Sequence, residues 1–214
     1  FVGLMALEFM KDFKIDSVFL DNKKISEKDK QIWIERTNNK IEYIDINKSD
    51  DLNLIYVDSH NSDDTSKLII KRDIDLIINC GTPRILCSEI IDAPNIGILN
   101  CHPGILPEYR GCTCVEWALY NQDDVGNTCH LMSKKIDEGP IIFKNKIKIE
   151  NYDSYQSIRR AVYLNSIDTI KKAIKLINLN KVDNKTTQKK GVYYKPINDE
   201  KMNVVLQKYG NEIL

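Results

Sequence analysis

The sequence predicts an α/β domain built on a mainly parallel sheet. Two short apolar runs, Asp75–Asn79 and Asn95–Asn100, are continuous rather than alternating, as strands buried on both faces are. Segments of helical period lie around them, and strands that alternate with helices build parallel sheets. The scale also fits: 214 residues, 42% hydrophobic and 29% charged, suffice for one core with a small appendage.

Taken in order, Phe1-Val2-Gly3 reads as the end of a strand turning at glycine. Leu4, Leu7, Met10 and Phe13 have near-helical spacing and predict a helix over 4–13. Asp16–Leu20 reads as a strand, Asn22–Asn39 as an exposed charged helix or loop, and Glu42–Ile46 as another short strand. Asp50–Thr65 is polar and takes no assignment, and Ser66–Lys71 reads as the end of a helix. Gly81-Thr82-Pro83 breaks the run at Asn79. Val115–Gln122 reads as helix, and Gly126–Met132 and Ile141–Ile149 as strands. Asp153 with Gln156 has the form of a capping box. It opens a long helix with Tyr155, Ile158, Val162, Ile170, Ile174 and Ile177 on one face. A polar loop over 183–191 leads to a short strand at Val192–Tyr194. The expected organisation is a main body over 1–182 with an extension over 183–214 packed on it.

Thirty-one basic residues balance 31 acidic ones. That neutrality argues against a dedicated nucleic-acid binder. No apolar run approaches the ~18 residues of a membrane span, and the opening segment has no basic leader. The chain opens at Phe1 rather than Met, as a chain starting partway into a longer protein would. Six cysteines, all between Cys80 and Cys129, read as reduced thiols in a cytoplasmic protein rather than a disulfide scaffold. Cys112-Thr-Cys114 is too tight for a zinc pair, and no metal is expected.

The informative stretch runs from Asn100 through Cys101, His102, Pro103 and Gly104 to Tyr109-Arg110-Gly111. Asn100 and His102 alternate off a strand end, so both can face one cleft. Cys101 then points away and is no nucleophile candidate. In open α/β sheets ligands bind beyond the carboxyl ends of strands, which is where these residues fall. A second stretch, Lys135–Ile142, sets Asp137 and Glu138 in a turn. Together the stretches supply an amide donor, an imidazole and a carboxylate, the set that acyl transfer uses. His130 reads as a core or supporting residue.

Asn100-x-His102-Pro103, Ile105-Leu106-Pro107, Tyr109-Arg110-Gly111 and Ile136-Asp137-x-Gly139-Pro140 resemble the signature of the formyltransferase family. So do Trp117-Ala-Leu119, Gly126-x-Thr128 and His130. The family includes glycinamide ribonucleotide, methionyl-tRNA and sugar N-formyltransferases. The resemblance is dense from Asp75 to Phe143. It implies a doubly wound, Rossmann-like fold and N10-formyltetrahydrofolate as co-substrate. It implies Asn100, His102 and Asp137 as catalytic residues. Gly81, Arg84, Ile85, Leu86, Ser133 and Ile136 would surround the folate, and Tyr109 and Arg110 the amine. In the expected chemistry, Asn100 and a protonated His102 steady the oxygen of a tetrahedral intermediate. Asp137 favours the imidazolium and helps to shuttle a proton.

The expected partners are therefore two small molecules, with no membrane and an association of two copies left open. An amino sugar carried on a nucleotide is the favoured acceptor. Val2–Ala6 lacks the Gly/Ser-rich loop of glycinamide ribonucleotide enzymes, and the segment after Phe143 is short for a tRNA-contacting domain. The alternatives are those two acceptors, hydrolysis of the formylfolate by a deformylase, and a non-catalytic folate-binding module.

Overall fold

A computed structural model describes residues 1–21, 26–82, 85–180 and 188–212. The elements are α1 (Val2–Met10), β1 (Val18–Asp21), α2 (Glu27–Thr37), β2 (Leu54–Val57), α3 (Asp63–Lys71), β3 (Leu76–Asn79), α4 (Ser88–Ile91) and β4 (Gly97–His102). There follow β5 (Tyr109–Gly111), α5 (Cys114–Asn121), β6 (Gly126–Leu131), β7 (Ile141–Lys146), α6 (Tyr155–Asn178), β8 (Val192–Tyr194) and α7 (Asp199–Tyr209). The central sheet has the order β3-β4-β6-β7. It is parallel at β3/β4 and antiparallel at β4/β6 and β6/β7. β1 with β2 and β5 with β8 form two further parallel pairs.

Helices cover both faces of the central sheet, as a doubly wound fold requires. On one face, Met5 and Phe9 of α1 and Ile167, Ile170 and Ile174 of α6 pack on Leu99, Cys129 and Leu131. On the other, Ile69 of α3 and Ile90 of α4 pack around Ile98. The apolar runs are continuous because consecutive residues enter opposite cores: Ile98 and Leu99 are both fully buried, in different clusters.

The longest element owes its form to the three- and four-residue spacing of Ile158, Val162, Ile170, Ala173, Ile174 and Ile177, all buried. Burying each isoleucine contributes roughly 1.5–3 kcal/mol. The expected capping box lies one residue further on. The Ser154 hydroxyl accepts the Ser157 N–H at 3.1 Å, and Ser157 Oγ accepts the Ser154 N–H at 3.0 Å. Gln156 serves elsewhere, donating to Asn211 Oδ1 and accepting the Glu212 N–H.

Two sequence expectations differ from the structure near the amino end, and one unassigned stretch takes form there. Phe1-Val2-Gly3 opens α1 rather than closing a strand. Gly3 sits inside that helix because a Cβ there would lie 2.2 Å from the Ile44 carbonyl oxygen. Glu42–Ile46 forms no strand. It lies against α1 and runs into a short 3-10 turn at Ile46–Lys48, capped by Asp45 accepting the Asn47 N–H. The unassigned stretch contains β2 and the start of α3, whose first turn is capped by Ser62 accepting the Thr65 N–H at 3.2 Å.

The carboxyl-terminal residues 188–212 return to the body. β8 extends β5, Val205 of α7 joins the α5 core, and Glu212 pairs with Arg160 and Lys40. The expected boundary at 182/183 lies outside the described residues. Among the described residues no helix is long and apolar enough to cross a membrane.

Candidate active site

Strand parity builds the site. Along β4, Leu99 and Cys101 turn into the α6 core, so Asn100 and His102 emerge on the opposite face with Ile98. The antiparallel register with β6 sets His130 directly across from Asn100 and Thr128 across from His102. Thr128 then holds the loop after β4: its hydroxyl donates to the Gly104 carbonyl at 2.7 Å and accepts the Leu106 N–H at 3.0 Å. Gly104 lies under the imidazole, where a Cβ would come within 2.8 Å of His102 Nε2.

Asp137 arrives from the turn between β6 and β7 with φ +53°. The turn closes tightly because a Cβ at Gly139 would lie 1.8 Å from the Leu131 carbonyl oxygen. Asp137 Oδ2 accepts the Gly111 N–H at 2.9 Å and lies 3.4 Å from His102 Nδ1. Its other oxygen lies 3.6 Å from His130 Nε2. The carboxylate therefore sits between two imidazoles, with Asn100 beside them: Asn100 Nδ2 is 3.1 Å from His130 Nε2. The structure thus brings together Asn100, His102 and Asp137, and adds His130. Pairing of the two strands was the signal that could have found it.

The expected imidazolium at His102 is not what the surroundings favour. Burial pulls the His102 pKa below its ordinary value, although the Asp137 charge works the other way. Its Nε2 faces the Tyr109 carbonyl at 2.8 Å. A carbonyl only accepts, so Nε2 carries the proton and the Nδ1 lone pair faces Asp137 in the neutral ring. For Asp137 itself burial raises the pKa. Its contacts with His130 and His102 and the Gly111 N–H outweigh that and hold the carboxyl below the usual range. At neutral pH the site is an ionised carboxylate beside a neutral His102 whose Nδ1 lone pair can take up a proton delivered to the pair.

The remaining residues singled out by sequence fall unevenly. Tyr109, expected near the amine, turns inward: its ring stacks on Tyr194 at 5.1 Å and its hydroxyl donates to Asp123. Only its carbonyl reaches the site. Arg110 pairs with Glu138 and donates to the Gly191 carbonyl at 2.9 Å, which ties β5 to the Asp137 turn. Gln188 supports the same turn by donating to the Asp137 and Gly139 carbonyls. Ile85 and Ile136 are strongly exposed for apolar residues. Leu86 packs at the margin of the core under α3 and α4. The Ser133 hydroxyl donates to the Lys135 carbonyl, and the Gly81 N–H donates to Asn79 Oδ1. Arg84 lies outside the described residues. Among the described residues no group of three or more His, Cys, Asp or Glu is placed to hold a metal.

A doubly wound α/β domain with an amide, two imidazoles and a carboxylate at the carboxyl ends of its strands belongs to the class equipped for acyl-transfer chemistry. The chain belongs to the formyl transferase family, whose model matches residues 22–174. Over 110 residues it is 36% identical to the bifunctional polymyxin resistance protein ArnA of Wigglesworthia glossinidia brevipalpis. The match covers 51% of this chain and 17% of that one, so the chain spans about a sixth of that relative's length. A sugar N-formyltransferase from Shewanella sp. FDAARGOS_354 is similar in structure. Its TM-score is 0.54 at 26% identity, covering 67% of this chain and 56% of that one. The fold is also that of phosphoribosylglycinamide formyltransferase from Anaplasma phagocytophilum. There the TM-score is 0.63 at 20% identity, covering 91% and 93% of the two chains.

Proposed function

We propose that this chain transfers a formyl group from N10-formyltetrahydrofolate to the amino group of a nucleotide-linked amino sugar. The observation that carries the reading is the Asp137 carboxylate held between His102 and His130 with Asn100 alongside. The exposed Ile85 and Ile136 suit the donor, since a flat pterin needs apolar faces as well as polar groups at its edge.

As an amine nitrogen bonds to the formyl carbon, the formyl oxygen gains negative charge. Asn100 spends one amide N–H on His130 and has a second to aim at that oxygen. Such a donor is worth about 3 kcal/mol, or two to three orders of magnitude in rate. The attacking nitrogen must shed a proton, and the leaving folate nitrogen must gain one. Asp137 Oδ2 takes the proton through water and shares it with His102 Nδ1, 3.4 Å away. The proton returns as the old carbon–nitrogen bond breaks. His102 acts here as a proton partner of Asp137, not as a standing positive charge.

Tyr193 supports a sugar acceptor. Half its surface is exposed, and its ring packs over Gly111, the residue whose N–H holds Asp137. An aromatic face at the rim of the site suits the apolar side of a pyranose. The name of the Shewanella enzyme agrees with this class of acceptor. The test is to incubate purified protein with the formylfolate and either a nucleotide-linked amino sugar or glycinamide ribonucleotide. A formamide product from the sugar alone supports the reading. A product from glycinamide ribonucleotide alone refutes the acceptor, and loss of formylfolate without any amine product refutes the transfer.

A further inference from the structure

Asn79, at the carboxyl end of β3, has no place in the chemistry above. Its side chain nonetheless belongs to a hydrogen-bonded line that runs through Asn100 and His130 to the Leu131 carbonyl. At one end the Asn79 side-chain oxygen accepts the Gly81 and Thr82 N–H groups, at 3.1 and 3.0 Å. Asn79 Nδ2 then donates to Asn100 Oδ1 at 2.9 Å. Asn100 Nδ2 meets His130 Nε2 at 3.1 Å, and His130 Nδ1 meets the Leu131 carbonyl at 3.0 Å.

The polarity of this line is dictated from both ends. Two backbone N–H groups can only donate, so the Asn79 atom facing them is oxygen and the atom facing Asn100 is nitrogen. A backbone carbonyl can only accept, so His130 carries its proton on Nδ1. With its single ring proton there, His130 offers Nε2 as an acceptor, Asp137 Oδ1 standing off at 3.6 Å beyond hydrogen-bond reach, and the Asn100 atom facing it at 3.1 Å is nitrogen. Both arguments fix the same orientation of the Asn100 amide. We infer that Asn79 is a positioning residue that, with His130, sets the Asn100 amide so that an N–H rather than a carbonyl oxygen meets the formyl group. The inference rests on the proposed formyl transfer. It concerns the register β3/β4, which aligns Asn79 with Asn100.

The test uses two substitutions whose order of severity separates positioning from packing. Asn79→Asp is nearly isosteric but only accepts. It keeps the Gly81 and Thr82 bonds and forces Asn100 to turn its nitrogen toward residue 79. The Asn100 oxygen then faces His130 and meets the formyl oxygen with a lone pair. Asn79→Ala leaves a small void but also leaves His130 to orient Asn100. With the parent protein first shown to transfer formyl, kcat is expected to fall about a hundredfold or more in Asn79→Asp, the loss typical of one oxyanion donor. Asn79→Ala is expected to lose about tenfold or less, with KM for the formylfolate little changed in both. Nitrogen-15 NMR of the imidazoles supplies a readout independent of activity. His130 is protonated at Nδ1 in the parent protein and takes a proton at Nε2 in Asn79→Asp. If Asn79→Ala is the more impaired variant, or if the His130 protonation pattern is the same in Asn79→Asp, Asn79 only packs and the inference is overturned. A parent protein without transferase activity but with the predicted His130 switch would refute the proposed function and leave the orientation argument standing.

Discussion

Asp137→Asn isolates the charge of the central carboxylate. Asparagine keeps the shape, and its carbonyl oxygen can still accept the Gly111 N–H that Asp137 Oδ2 accepts at 2.9 Å. The two imidazole contacts at 3.4 and 3.6 Å lose their negative partner. A unit charge 3.4 Å from a protonated imidazole is worth about 5 kcal/mol at an effective dielectric of ~20. Part of this is offset because a neutral amide is easier to bury. General acid–base groups typically contribute 10²–10⁴ in rate, or about 3–5 kcal/mol, so the two figures agree in scale. We expect kcat and kcat/KM to fall together by roughly 10²–10⁴, with folate-analogue affinity within about threefold. Stopped assays of formylfolate consumption and equilibrium titration on one folded sample provide both numbers. The substitution also changes stability against pH. The folded-state pKa of Asp137 is depressed, so its stabilisation is present above the ordinary carboxylate value near 3.9 and lost as pH falls through the lower folded value. Asp137→Asn should therefore flatten the acid limb of the stability curve. A folded variant within tenfold of parental kcat would refute the assignment of Asp137.

Three further outcomes are expected. The His102 pKa is depressed in the folded state, chiefly by burial. Its contribution is present above the ordinary histidine value near 6.5 and lost as pH falls through the folded value. His102→Asn should weaken the fall in unfolding free energy between neutral and mildly acidic pH, measured by denaturant titration. An unchanged pH dependence would contradict the burial argument. Tyr193→Ala should raise the KM for the amino sugar several-fold while kcat and formylfolate affinity hold; a change confined to the folate side would move Tyr193 out of the acceptor site. Glu116 is buried against Arg159, Arg36 and the Tyr155 hydroxyl, which donates to it at 2.7 Å. Glu116→Gln should cost roughly 3–5 kcal/mol, because it leaves the buried Arg159 guanidinium without its carboxylate. A loss under about 1 kcal/mol in thermal or denaturant unfolding would show that water screens the cluster.

The parts of this protein legible in sequence are those whose causes are local or periodic. The runs ending at Asn79 and Asn100 are strands because both faces are buried. The long helix follows from its three- and four-residue apolar spacing. Alternation alone put Asn100 and His102 on one face and Cys101 on the other. What was hidden depends on neighbours remote in sequence. Glu42–Ile46 looks like a strand, but it lies on α1 beside Gly3 and finds no sheet partner. Tyr109 is expected around the amine, but Tyr194, far along the chain, stacks on its ring and holds it inward. The charge state of His102 was misread because spacing shows its nearness to Asp137 but not its burial. His130 joins the site only through cross-strand register, and Asn79 only through parallel pairing with β4. Local patterns thus located the catalytic candidates, and tertiary pairing determines which atoms they present.

The most direct test of the central claim is mass analysis of the amine after incubation of the purified protein with N10-formyltetrahydrofolate and a nucleotide-linked amino sugar, alongside the Asp137→Asn variant. The account predicts a sugar formamide that appears in step with loss of the formylfolate, and a rate at least a hundredfold lower in the variant, the lower bound for acid–base work. Formylfolate that persists with the parent protein, or that disappears equally fast with both proteins and leaves the sugar amine unmodified, would contradict it.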